Sequence, residues 1–487
     1  MRRYWGAALL AIACGIGPAA GQEPDWPALA RQDLQAIHDV LDRDHPGPVI
    51  DPDFRRRLDG GLDSALARAG RVADITQYLY LLIEYANALP DAHLSVWGNR
   101  QNPQWAGVHR GATLYPGFVA AYRGGDILVG ASLETGAPGT GLRLLGCGGD
   151  DAGGLAVANA LRFQGDASLA ADWVRAVPLM FLDQGQLDFR RPPSCRFLTA
   201  AGVEEIALHW RPVRFAAVQP FLAAAGFGDP PPLGGLWIAD DTLWISLPTL
   251  EPSGPAVQAM DDLRAMVAQA PAGARIVFDL RGNAGGNSFL ARGFAVALYG
   301  EPLVAWGEQR LYSGIPDAVR ASPGNRAHFQ QFRDALGTTR PDDPGLARYL
   351  DTLIAGIDAA LAAGQPLADL GRPSKPVRTD PPPSAHDGQV IVVIDGRVFS
   401  SALLFVDLLQ AIDDVTLVGW PTRAHGLYGE IREVALPGGW AWVSVSTKAF
   451  LSRAGGGGAV EPDIPWDGEI ADTPGLQRWV LSLPARP

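Results

Sequence analysis

Lysine is almost absent from this 487-residue chain: Lys375 and Lys448 are the only two, although Lys and Arg together number 40. Chemistry that needs an activated amine therefore has two candidates. Cysteine is nearly as scarce, and Cys147 and Cys195 lack the paired spacing of a zinc or iron–sulfur site. The eight His residues show no H-E-x-x-H pattern, so neither a metal nor another cofactor is expected. Positive charge is in deficit, 40 basic against 52 acidic residues for a net charge of −12. The cationic footprint that grips a phosphate backbone is missing, which excludes nucleic acid as a partner class. Long apolar runs are missing too, and no segment is expected to cross a membrane. The run from Trp5 to Ile16 follows Arg2 and Arg3 and precedes the small residues Ala19 and Gly21, the layout of a secretory signal over residues 1–21. It is too short to span a bilayer. Cleavage before Gln22 is the plain reading, a lipid anchor at Cys14 is the alternative, and the chain is read as exported, periplasmic or extracellular. In that compartment Cys147 and Cys195 either join or remain two buried thiols.

What is present describes a globular protein of two to three domains, with 47% hydrophobic residues. Residues 22–105 read as helical: Leu29, Leu34, Ile37, Val40 and Leu41 share a face, Asp51-Pro52 caps a second helix, and a third runs from near Asp74 to Pro90. Asp91-Ala92-His93 follows at once, then a period-two strand, Leu94 to Trp97. His93 is thereby placed at a helix-to-strand junction. Residues 106–228 turn to short strands and glycine turns, and Asp229 to Gly235 is a stiff Pro-rich linker. Residues 235–475 alternate apolar strands with helices, as α/β crossover units require, and a helical insertion at about 315–385 interrupts them.

Two loops at strand ends carry chemistry. In Asp279-Leu280-Arg281-Gly282-Asn283-Ala284-Gly285-Gly286-Asn287, glycines free the backbone to point amides at a bound group. In Asp395-Gly396-Arg397-Val398-Phe399-Ser400-Ser401, a serine pair ends a loop and opens a helix, where the dipole and the next amide favour a developing oxyanion. A serine there is also an ordinary N-cap. Loops at the carboxyl ends of strands are where open α/β sheets bind ligands.

In these pieces the chain resembles the tail-specific, or C-terminal processing, serine proteases, whose relatives include the tricorn core and the retinoid-binding repeats. Asp279 to Gly286 looks like the family's D-L-R-x-N-x-G-G loop and Val393 to Leu409 like its nucleophile strand and helix. Leu417 to Thr422 and Val460 to Ile464 resemble its V-G-x-P-T and v-x-P-D-i segments. The resemblance covers roughly Leu236 to Ile470 and extends upstream to the His93 junction. It implies an α/β protein with a crotonase-like ββα superhelix core, behind a helical region and a β-rich, PDZ-like middle module.

The resemblance puts the nucleophile on Ser400 and oxyanion donors at Ser401 and at Gly285 or Gly286. The family's best-known base, a lysine after the V-G-x-P-T segment, is here His425, and Lys448 lies on a strand that is structural in the family. A Ser/His pair is therefore expected in place of Ser/Lys. His93 matches the histidine of the tricorn-like branch, with His425 the alternative base. His93 otherwise caps its helix or bonds Asp91. Glu461 either orients the imidazole or is a surface acid after four glycines. Asp279 and Arg281 are expected to shape their loop. The expected activity is peptide hydrolysis through an acyl-enzyme on Ser400, with a peptide or protein as partner. From a different class comes a binding protein for peptide or lipid that keeps the fold without the chemistry.

Overall fold

The computed structural model describes residues 23–107, 112–238, 241–251, 253–312, 317–339, 344–369, 379–424, 426–451 and 458–484. Residues 1–22, with the expected signal and Cys14, and His425 lie outside the described residues. No helix among them is long and apolar enough to cross a membrane.

Six strands form the central sheet in the order Gly234–Ile238, Thr242–Ser246, Arg275–Asp279, Val390–Ile394, Thr416–Gly419 and Ile464–Pro465. The first pair is an antiparallel hairpin and every later neighbour is parallel. Parallel strands are covered on both faces and so read as unbroken apolar runs. Val390–Ile394 is buried at all five positions. Alternate residues serve the two sides. Leu243, Ile276, Phe278, Val392 and Ile394 meet the helices Gly254–Ala268, Ser288–Tyr299 and Ser401–Ile412, while Trp244, Val277, Ile391 and Val393 meet Leu476 and Val480 of the helix Thr473–Ser482.

The N-terminal helices Trp26–Asp44, Pro52–Ala69 and Ile75–Asn87 start on the side chains of Asp25, Asp51 and Asp74, each accepting a first-turn amide. Their apolar faces do not close on one another alone. Leu34, Ile37, Phe54, Tyr78 and Leu82 share a core with Tyr428, Trp440, Val443 and Val445 of the late hairpin Tyr428–Ala435 and Ala441–Ala449. The strand Val96–Gly98 pairs with the same hairpin, Val96 opposite Val443. This packing carries the segment after Pro90 onto the carboxyl edge of the central sheet.

The middle module is an antiparallel sheet in the order Phe118–Arg123, Asp126–Ser132, Arg143–Cys147, Ser194–Thr199, Gly202–Ala207. Cys147 and Cys195 face each other across it and are joined by a disulfide, which decides between the two readings of these thiols.

The insertion departs from the helical expectation. The helices Pro323–Thr339 and Pro344–Ala362 are present, but the short strands Ala318–Arg320 and Leu367–Asp369 flank them and extend the late hairpin's sheet, Ala318 opposite Ala449. Three-residue strands have too little period-two pattern to register in a sequence.

Candidate active site

The strands Arg275–Asp279 and Val390–Ile394 are adjacent and parallel, so the loops that leave their carboxyl ends are neighbours. Three contacts stitch these loops together. Asp395 accepts the Gly282 amide, Phe399 N–H donates to the Asn283 carbonyl at 3.1 Å, and Ser401 Oγ donates to the Gly286 carbonyl at 2.7 Å. Each loop also carries its own clamp. Arg281 forks onto Asp279 with both residues buried, and Arg397 onto Asp395. Asp279 and Arg281 thus shape the loop, as expected.

Ser400 is partly buried and has φ 54° and ψ −123°, a backbone that a non-glycine residue adopts only under constraint. Such a conformation costs on the order of 1–3 kcal/mol and clusters at functional sites. Gly285, at φ 99°, lies directly against it: a Cβ there would stand 2.8 Å from the Ser400 Cβ. Only glycine allows this approach.

The amides divide cleanly. Gly285 N–H donates to Asn283 Oδ1 at 2.9 Å and is engaged. Those of Gly286 and Ser401 donate in no hydrogen bond among the described residues. Of the two glycines considered from sequence, Gly286 is therefore the one with a free donor.

His93 arrives from the helix–strand junction. Its Nε2 lies 3.0 Å from Ser400 Oγ, its ring rests on Phe399 at 4.4 Å, and its carbonyl accepts the Ser444 hydroxyl. Asp91 is fully buried behind it. Asp91 Oδ1 accepts the His93 backbone amide at 2.9 Å and stands 3.7 Å from Nδ1, outside hydrogen-bond reach. Nδ1 itself is buried without a partner. Asp91 Oδ2 accepts from Ser446 Oγ at 2.7 Å and from His45 Nε2 at 3.0 Å. The Gly47 amide donates to His45 Nδ1 at 2.9 Å, so the proton of that ring sits on Nε2 and points at Asp91. Burial pushes the Asp91 carboxyl up, but the His45 hydrogen bond and the nearness of the His45 and His93 rings outweigh it and hold the group well below the usual carboxylate range.

Glu461 is not part of this cluster. It is solvent-exposed and has no ion pair with His93. Thr422 and Val460 bond reciprocally and turn the Val460 side chain toward the core, so the next residue faces outward. The carboxylate beside the imidazole is Asp91. Lys448 pairs with Asp317 at 2.9 Å, away from Ser400. Sequence reasoning missed His45, Ser446 and Arg423. The half-buried Arg423 guanidinium lies 4.2 Å from the Phe399 ring and donates to the Ala92 carbonyl at 3.4 Å.

A hydroxyl within reach of an imidazole, beside free amides at the carboxyl edge of a parallel sheet, is the arrangement of a serine hydrolase. Residues 242–466 match the model of peptidase family S41. Over that segment the chain is similar to family S41, a family of peptidases. Among solved structures, mature CPAF is 16% identical, covering 90% of this chain and 92% of its own at a TM-score of 0.56. CPAF complexed with lactacystin is 15% identical, with 90% and 94% covered and a TM-score of 0.57. The photosystem II D1 C-terminal processing protease is 13% identical, with 90% and 93% covered and a TM-score of 0.33. At these identities the CPAF likeness is one of fold. No curated protein matches the chain.

Proposed function

We propose that this chain is an exported serine endopeptidase that works through an acyl-enzyme on Ser400, with His93 as base and Asp91 as the group that orients it. The observation that carries the reading is the 3.0 Å separation of His93 Nε2 and Ser400 Oγ. Ser400 Oγ attacks the scissile carbonyl carbon and its proton passes to His93 Nε2. The Gly286 and Ser401 amides hold the oxyanion, each worth about 10²–10³ in kcat. Collapse breaks the C–N bond as His93 returns the proton to the leaving amine, and water then releases the acyl group by the same path in reverse. Asp91, an anion behind the ring, favours the imidazolium.

Export rests on the segment of residues 1–21, and the core is read as crotonase-like. The exposed edge strand Gly202–Ala207 of the middle module suits strand addition by an extended peptide, in the manner of a PDZ domain. Hydrolysis of unfolded casein tests the reading. The wild type is expected to cleave it, and Ser400→Ala and His93→Ala each to lose the activity. A wild type inert toward casein and unfolded peptides would move the protein to the binding class.

A further inference from the structure

Within that reading, we propose that Arg423 is a substrate-binding residue that receives a carboxylate of the peptide on the leaving-group side of the scissile bond.

The argument starts from a cation without a counter-ion. The other guanidiniums around the site are each held by a carboxylate: Arg281 by Asp279, Arg397 by Asp395, and Arg175 by Asp172 at 2.6 Å. For Arg423 no carboxylate oxygen of the described residues comes within 4.0 Å. Among the described residues the guanidinium makes one hydrogen bond, the long contact to the Ala92 carbonyl through Nη2. Nε and Nη1 donate in no hydrogen bond among the described residues. Desolvation, with the nearby Arg175 charge second, lowers the group to about 10, and it stays protonated at neutral pH. A half-buried charge held without a partner is unfavourable, and an incoming anion relieves that cost.

The contacts also give the side. Arg423 stacks on Phe399, the residue before Ser400, and reaches the carbonyl of Ala92, the residue before His93. The His93 ring packs on that same Phe399. The free amides belong to Gly286 and Ser401, in the glycine loop and at the start of the helix, and not to the Ala92–His93 segment that Arg423 touches. The imidazole must deliver its proton to the leaving amine, so groups on its flank meet the residues after the cut. A guanidinium over a ring still has N–H groups for bidentate carboxylate binding. The carboxylate would belong to an Asp or Glu side chain after the cut, or to the terminus of a short leaving fragment.

The test measures binding, and so does not depend on turnover. Immobilised Ser400→Ala protein is loaded with a tryptic digest of casein, before and after chemical amidation of all carboxyl groups, and retained peptides are quantified by mass spectrometry. Amidation is expected to cut retention roughly tenfold, the order of one charge-assisted bidentate contact. In Ser400→Ala/Arg423→Met retention should be low and independent of amidation, with Arg423→Lys between the two. Retention that is equal before and after amidation, or a difference that survives in Arg423→Met, overturns the proposal. Synthetic copies of the best-retained peptide, with each acid changed to its amide or with a C-terminal carboxamide, separate side-chain from terminal carboxylates. Phosphonate labelling of Ser400 in the wild type reads the peptidase assignment separately.

Discussion

The imidazole of His93 meets the hydroxyl of Ser400 at 3.0 Å across 307 residues of chain. Neither residue is brought there by its own element. His93 rides on a helical region whose core is completed by the late hairpin, and Ser400 on a loop tied to its glycine-rich neighbour. The pair therefore reports on the packing of the whole molecule.

Asp91→Asn keeps the size of the side chain but removes the anion behind His93. The kcat for peptide hydrolysis is expected to fall by about 10²–10⁴, with KM nearly unchanged, since loss of an orienting carboxylate acts in the transition state. A steady-state comparison with the wild type on one peptide checks it. A fall confined to KM would contradict the role.

Gly285→Ala forces a Cβ to within 2.8 Å of the Ser400 Cβ at a backbone of φ 99°. Activity should drop at least a hundredfold, and stability by about 1–3 kcal/mol, seen in a urea titration. Wild-type turnover in this variant would show that the two loops are not held as described.

The disulfide of Cys147 and Cys195 closes a loop of sequence separation 48 within the middle module. The Cys147→Ala/Cys195→Ala variant is expected to lose roughly 4 kcal/mol, the loop-entropy value for that length, in thermal or urea unfolding. A reductant should reproduce the loss in the wild type and leave the variant unaffected.

Burial pushes the imidazoles of His328 and His386 down from their ordinary value, with the Arg432 charge adding to the effect at His328. A histidine whose folded value lies below its unfolded value takes up a proton more readily after unfolding. Its stabilisation is complete above about pH 6.5 and is lost as pH falls through the folded value. Urea midpoints should thus decline between about pH 7 and 5, and His386→Phe should flatten that decline. An unchanged slope would remove His386 from the account.

The central sheet was legible because burial on both faces writes each strand as an apolar run, as in Val390–Ile394, and because glycine and serine mark the loops that follow. His93 was legible from its junction after Pro90. Its electrostatic surroundings were not: His45 and Ser446 reach Asp91 from 46 and 355 residues away, distances over which periodicity carries no information. Glu461 misled because motif order does not encode which way a side chain turns, and the Val460 backbone bonds settle that. The insertion's strands were hidden by their length of three residues, since only pairing with Ala449 and its neighbours makes them strands. From sequence, a bond from His93 to Asp91 is the alternative to a role as base. In the structure Asp91 stands behind the ring and leaves Nε2 facing Ser400.

The most direct measurement is intact-mass analysis after exposure to an aryl phosphonate that reacts only with an activated serine. One adduct is expected on the wild type, at Ser400 on peptide mapping, with none on Ser400→Ala and labelling slowed at least a hundredfold in His93→Ala. A wild type that takes up no phosphonate, or equal uptake by Ser400→Ala, would contradict a nucleophilic role for this hydroxyl.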